Sequence, residues 1–169
     1  MKLIFGLLIL AGLPLLVMQL IGRRMPREHK ASRTARVRGS AAAIFAAITQ
    51  VEAFPQWRPS VKSVDALADL NGKRRYRETT SRGALTFEVT ETVQDARLVT
   101  TIVDEGQPFG GRWTFDLHSQ ELDTDVTITE DGFVNPPIFR FLSRYAFGHT
   151  ATIDTYLKNL EQRFAQVKG

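Results

Sequence analysis

The sequence predicts an α+β domain: an antiparallel sheet of six or seven strands with one face covered by a long C-terminal helix. Three observations lead there. Between Val61 and Val134, short runs alternate apolar and polar residues and are separated by turn residues, with no helical stretch between them. Strands joined without crossover helices pair antiparallel, and such sheets bury one face. After Asn135 the period changes: Ile138, Leu142, Ala146, Ile153, Tyr156, Leu157, Leu160 and Phe164 fall on one stripe at steps of three and four. The chain also opens with an uncharged apolar run, so one N-terminal transmembrane helix is expected ahead of the domain.

That run, residues 3–21, reads LIFGLLILAGLPLLVMQLI. As a helix it would span about 28 Å, near the hydrocarbon thickness of a bilayer. Pro14 is tolerated in such helices. A cleaved signal peptide would need a shorter core and a small-x-small cleavage site. Val17, Met18, Gln19, Leu20 and Ile21 offer none. Residues 1–22 are therefore expected to anchor a single-pass membrane protein. Arg23, Arg24, Arg27 and Lys30 follow the run, against Lys2 before it. The positive-inside rule then favours a cytoplasmic domain, with the extracytoplasmic side as the alternative. The basic neck, residues 23–31, has no apolar periodicity and is expected to be a solvated linker. Its four bases are candidate contacts for anionic lipid head groups, worth about 1 kcal/mol each.

A length of 169 residues fits one domain plus an appendage. Cysteine is absent, which excludes disulfides, thiolate metal sites and cysteine nucleophiles. Of 22 Lys and Arg and 18 Asp and Glu, eight bases but only one acid fall in residues 1–38. The remainder carries 14 bases against 17 acids. The mildly acidic domain lacks the basic face of a nucleic-acid-binding module.

The domain is expected to span residues 32–169. Residues 32–38 read as a first strand, ended by Gly39. Ser40 is placed to cap a helix over Ala41–Thr49, whose buried side holds Ile44, Phe45 and Ile48. Pro55 and Pro59 then limit the chain to one short helical turn anchored by Phe54 and Trp57. Val61–Leu70 and Lys73–Thr80 read as strands around Asn71-Gly72, the strongest short hairpin signal. A half-buried strand places Leu85, Phe87 and Val89 on one face. Residues 97–103 form a strand rich in β-branched side chains. A glycine-rich connection at 106–111 precedes a strand at 112–118 with Trp113, Phe115 and Leu117 on one face. The last strand lies in 122–134. Pro136 and Pro137 suit a helix start, and residues 136–167 are expected to form one helix of about 45 Å.

This order resembles the SRPBCC superfamily, the START-related and polyketide cyclase/dehydrase-like domains. The likeness is carried by SAAAIFAAITQVEAFPQWRP at 40–59, by Val61-Lys62-Ser63-Val64, by the glycine-rich turn before Arg112-Trp113-Thr114-Phe115, and by the final helix. It covers about residues 32–167. The resemblance implies a helix-grip fold, in which a curved sheet wraps the last helix around an apolar cavity. It implies binding of a lipid, sterol, quinone or polyketide, and for some members catalysis, but it brings no universal catalytic motif.

His149 is the one polar residue amid the final apolar stripe. It is a candidate for orienting a ligand or moving a proton, or else a core histidine bonded to a carbonyl or tyrosine hydroxyl. No catalytic residue is assigned beyond that candidate, and Glu88 is its possible acidic partner. Trp57, Phe87, Trp113, Phe115, Tyr145, His149, Ile153 and Tyr156 are the candidate ligand-binding residues, equally suited to a plain core. The three histidines, His29, His118 and His149, lack ligand-like spacing, so neither a metal nor another cofactor is expected. The reading is thus a membrane-anchored binder of an apolar small molecule. A cyclase or dehydratase using His149, and a non-catalytic interaction module with a filled core, are the alternatives.

Overall fold

The computed structural model describes residues 2–148 and 150–165, with side chains from Leu13 onward except that of Phe147. The elements are α1 (Lys2–Arg24), β1 (Glu28–Arg38), α2 (Ala41–Thr49), a 3₁₀ turn (Val51–Ala53), α3 (Phe54–Trp57), β2 (Val61–Leu70), β3 (Lys73–Thr80), β4 (Gly83–Val93), β5 (Arg97–Ile102), β6 (Phe109–Gln120), β7 (Asp123–Val134), α4 (Pro137–Leu142) and α5 (Ala151–Ala165). Seven antiparallel strands form one sheet in the order β1-β7-β6-β5-β4-β3-β2. Consecutive hairpins build β2 to β7, and β1 closes the far edge against β7. Register shifts after Val61, Leu67 and Val89 bend the sheet, as extra residues in one strand do.

Local signals position these elements. The Ser40 hydroxyl accepts from the Ala43 N–H at 3.2 Å and caps α2. Asn71 and Gly72 both take positive φ, the geometry that a tight hairpin turn requires. Pairing then sets faces. Across the sheet, Val89 opposes Thr100, Thr100 opposes Trp113, Trp113 opposes Glu130, and Glu130 opposes Ala31. The neighbouring row runs Leu98, Phe115, Ile128. This inner face and α2, α3 and α5 enclose the core, where Ile44, Ile48, Val126, Ile128, Ile153 and Leu160 are fully buried.

Four expectations change. First, among the described residues no helix is long and apolar enough to cross a membrane. The single-pass anchor over residues 3–21, and with it a membrane location with the domain on the cytoplasmic side, is overturned. α1 contains Pro14 and Gln19 and ends in Arg23 and Arg24. Its end is held by protein: Gly22 is buried against Pro137, and Arg140 donates to the Gly22 and Met25 carbonyls at 3.0 and 2.9 Å. Arg140 also donates to the Asn135 carbonyl at 2.7 Å. With the spanning helix goes the reason for setting Arg23, Arg24, Arg27 and Lys30 against lipid head groups.

Second, β1 begins at Glu28, inside the expected neck, and all of its residues pair with β7. Lys30 points outward with its charge, as suits an edge strand, so residues 28–31 read as part of the linker. Lys30 lies 3.6 Å from Asp131, and Arg36 lies 2.9 Å from Asp125. Third, β6 starts at Phe109, which draws Gly110 and Gly111 out of the expected connection and into the sheet.

Fourth, the final helix is interrupted. A π-helical turn at Ser143–Phe147 and Gly148, with φ +73°, separate α4 from α5. The left-handed region suits glycine, and it ends the helical run there. The break shifts the phase of the stripe: Tyr145 and Ala146 before it are exposed, whereas Ile153, Tyr156, Leu157 and Leu160 after it are buried.

Candidate functional site

The inner face gathers its aromatic residues around Tyr156 of α5. The Tyr156 ring lies 5.4 Å from Trp57 of α3, and 5.9 and 5.3 Å from Trp113 and Phe115 of β6. Tyr76 of β3 stacks on Phe87 of β4 at 5.2 Å, and Phe54 joins Trp57 and Tyr76 edge-on. Three strands and two helices thus supply one continuous aromatic wall. Such edge and offset contacts are favourable beyond the area that they bury. The Trp57 indole N–H is buried without a hydrogen-bond partner among the described residues.

Of the residues singled out from sequence, Trp57, Phe115, Ile153 and Tyr156 are buried, and Phe87 and Trp113 are half-buried against the core. Tyr145 is not among them. It precedes the break, is 64% exposed, and sets its ring against Phe141 at 4.9 Å. His149 lies outside the described residues. Glu88 points away from the core and takes a bond from Lys73 at 2.9 Å. Among the described residues no cluster of three metal-ligating side chains occurs.

Sequence reasoning missed two polar groups. Arg58, directly after α3, donates to both carboxylate oxygens of Glu78 at 2.7 and 2.9 Å. The side chains are only 15% and 10% exposed. The guanidinium also lies over the Phe54 and Tyr156 rings, at 4.7 and 4.8 Å from their centroids. A bidentate pair in this setting satisfies its own charges and fixes α3 to the sheet. The period-two pattern of β3 was a usable signal, because Glu78 shares the face of buried Tyr76.

The second group is His29 of β1 with Glu130 of β7, whose Nε2 and Oε1 lie 3.5 Å apart. Their side chains are 16% and 22% exposed. Gly132 stands opposite His29, and a Cβ there would fall 2.7 Å from the imidazole, so glycine leaves the ring its place. An open groove of about 620 Å³ runs past this end of the sheet and is lined by Arg27, His29, Lys30, Asp131, Gly132 and Phe133, among others.

Burial pushes the Tyr76 and Tyr156 hydroxyls well above the ordinary phenol range. For Tyr76 the Tyr156 and Glu78 neighbours add to the rise, while Arg58 and a hydrogen bond with Thr100 oppose it. For Tyr156 the Arg58 cation opposes it. The linkage is direct: unfolding returns both phenols to a pKa of about 10. Their stabilising contribution is therefore complete below about pH 10 and is lost as pH rises from there. Urea unfolding is expected to show stability falling above about pH 10, and falling less steeply in the Tyr76→Phe, Tyr156→Phe double variant.

A curved antiparallel sheet closed by a C-terminal helix, with aromatic residues between them, defines a START-like helix-grip domain of the SRPBCC kind. Residues 28–165 match the model of the family described as polyketide cyclase / dehydrase and lipid transport, and the chain belongs to that family. No curated protein matches it. The fold is shared with a START superfamily protein from Mycobacterium smegmatis, at 24% identity over 83% of this chain and 99% of that one, with a TM-score of 0.67. The di-domain ARO/CYC StfQ from the steffimycin biosynthetic pathway is similar at 11% identity over 82% of this chain and 52% of that one, also at 0.67. Truncated norcoclaurine synthase from Thalictrum flavum is similar at 9% identity, covering 83% and 96%, at 0.65. At these identities the likeness is one of fold.

Proposed function

We propose that the chain binds an apolar small molecule of lipid, isoprenoid, quinone or polyketide-like character between the inner face of the sheet and α5. The observation that carries this reading is the aromatic wall centred on Tyr156, to which Trp57, Trp113 and Phe115 contribute from α3 and β6. With Phe87 and Ile153 they are the residues assigned to the ligand. Small-molecule sites favour apolar and aromatic linings with few polar groups. The unpartnered Trp57 N–H supports the reading, because a buried donor is normally met by an acceptor, and a ligand can supply one. The family description, which joins polyketide cyclisation with lipid transport, points to ligands of this kind. Transfer of apolar surface from water drives binding, at about 25 cal/mol per Å².

Native mass spectrometry of the full chain, with solvent extraction of anything bound, tests the proposal. The expected result is a stoichiometric apolar passenger, either carried through purification or acquired from a lipid extract. A chain that keeps its bare mass after incubation with both lipid extract and aromatic polyketides would overturn it.

A further inference from the structure

Resting on that reading, we propose that His29 and Glu130 form the polar end of the binding site and receive a phenolic or enolic hydroxyl of an otherwise apolar ligand. Four observations converge. His29 Nε2 and Glu130 Oε1 lie 3.5 Å apart, close enough to share one ligand oxygen. Glu130 stands directly across from Trp113 in the β6–β7 pairing, and the Trp113 ring lies 5.9 Å from Tyr156, so this pair continues the aromatic wall. Gly132 clears the space that the imidazole occupies. His29 and Gly132 also line the open groove at this end of the sheet.

The contrast with Arg58 and Glu78 assigns the role. Those two groups saturate each other through two short hydrogen bonds and are covered by Phe54 and Tyr156. Glu130 meets His29 across one longer contact and, among the described residues, has no other hydrogen-bonding or ionic partner. A carboxylate accepts only, whereas an imidazole offers one acceptor in its neutral form and donors in either form. A ligand hydroxyl can donate to Glu130 while accepting from His29. Neither an ether nor a plain hydrocarbon can do both. The site is therefore selective for aromatic or enolic alcohols whose ring lies along Trp113.

The test compares 2-naphthol with 2-methoxynaphthalene, which differ in the hydroxyl hydrogen. Calorimetric titration of the full chain is expected to give the naphthol about a tenfold tighter Kd, the scale of one hydrogen bond to a charged group. Glu130→Gln and His29→Phe are each expected to reduce that preference below about threefold while the ether still binds, since the aromatic wall is intact. A spectrum of the ring-labelled histidines in the unaltered protein provides a measurement independent of variant folding: His29 should shift with naphthol and much less with the ether. Equal binding of both compounds, or a preference that survives both substitutions, would overturn this proposal and leave the apolar site standing. Failure of both compounds to bind would overturn both readings.

Discussion

Replacing Glu78 by leucine is expected to lower the free energy of unfolding by about 3–5 kcal/mol, the cost of leaving a buried charge without its counter-ion. The Arg58 guanidinium would remain between the Phe54 and Tyr156 rings with both short hydrogen bonds gone. Its side chain, 15% exposed, cannot recover full hydration without pulling α3 from the sheet. The double variant Arg58→Met, Glu78→Leu is expected to regain most of the loss. Removing both charges removes the desolvation cost, and apolar side chains of similar volume can refill the space. Urea unfolding of the four proteins checks the pair: equal midpoints for the single and double variants would mean that the charges are not coupled.

Tyr156→Ala should cost about 3–5 kcal/mol as well, through a different cause. The ring is 5% exposed and touches Trp57, Trp113 and Phe115. Truncation removes apolar contact and leaves a cavity in a wall built from separate elements, which cannot easily collapse around it. Tyr156→Phe retains the ring and should cost only about 1 kcal/mol. Thermal and urea unfolding of the two variants separates ring from hydroxyl. A Phe variant as unstable as the Ala variant would contradict the packing account.

The strands and their faces were legible because each hairpin keeps a period of two and carries its own turn chemistry. Trp113, Phe115 and Leu117 alternate, Asn71-Gly72 turns, and Ser40 caps. The start of β1 was hidden because an edge strand presents charge outward, and Lys30 read as linker until Asp131 stands across from it. The apolar run at the N-terminus promised a spanning helix by composition. What the run could not convey is that the helix end is gripped by Arg140, far along the chain. The break before α5 escaped notice because the stripe counts residues, and a π turn followed by Gly148 changes phase without changing composition. Tyr145 was misplaced for that reason.

The polar part of the site was least legible. Arg58 and Glu78 are twenty positions apart, and each alone resembles an ordinary surface charge. His29 and Glu130 meet only through the β1–β7 pairing, which joins the two ends of the sheet's chain order. Pairings between distant segments are set by topology, and periodicity along one strand carries no record of them. The aromatic wall was easier to anticipate, since its members lie on strand and helix faces that local pattern defines.

The chain has two tryptophans, Trp57 and Trp113, and both border the Tyr156 ring. Fluorine NMR of the full chain labelled with 5-fluorotryptophan therefore tests the central claim most directly. Addition of an apolar ligand recovered from the purified protein or from lipid extract should shift both signals, with saturation at one ligand per chain. Signals that stay in place while ligand is shown to bind would put that ligand elsewhere on the protein and contradict the account.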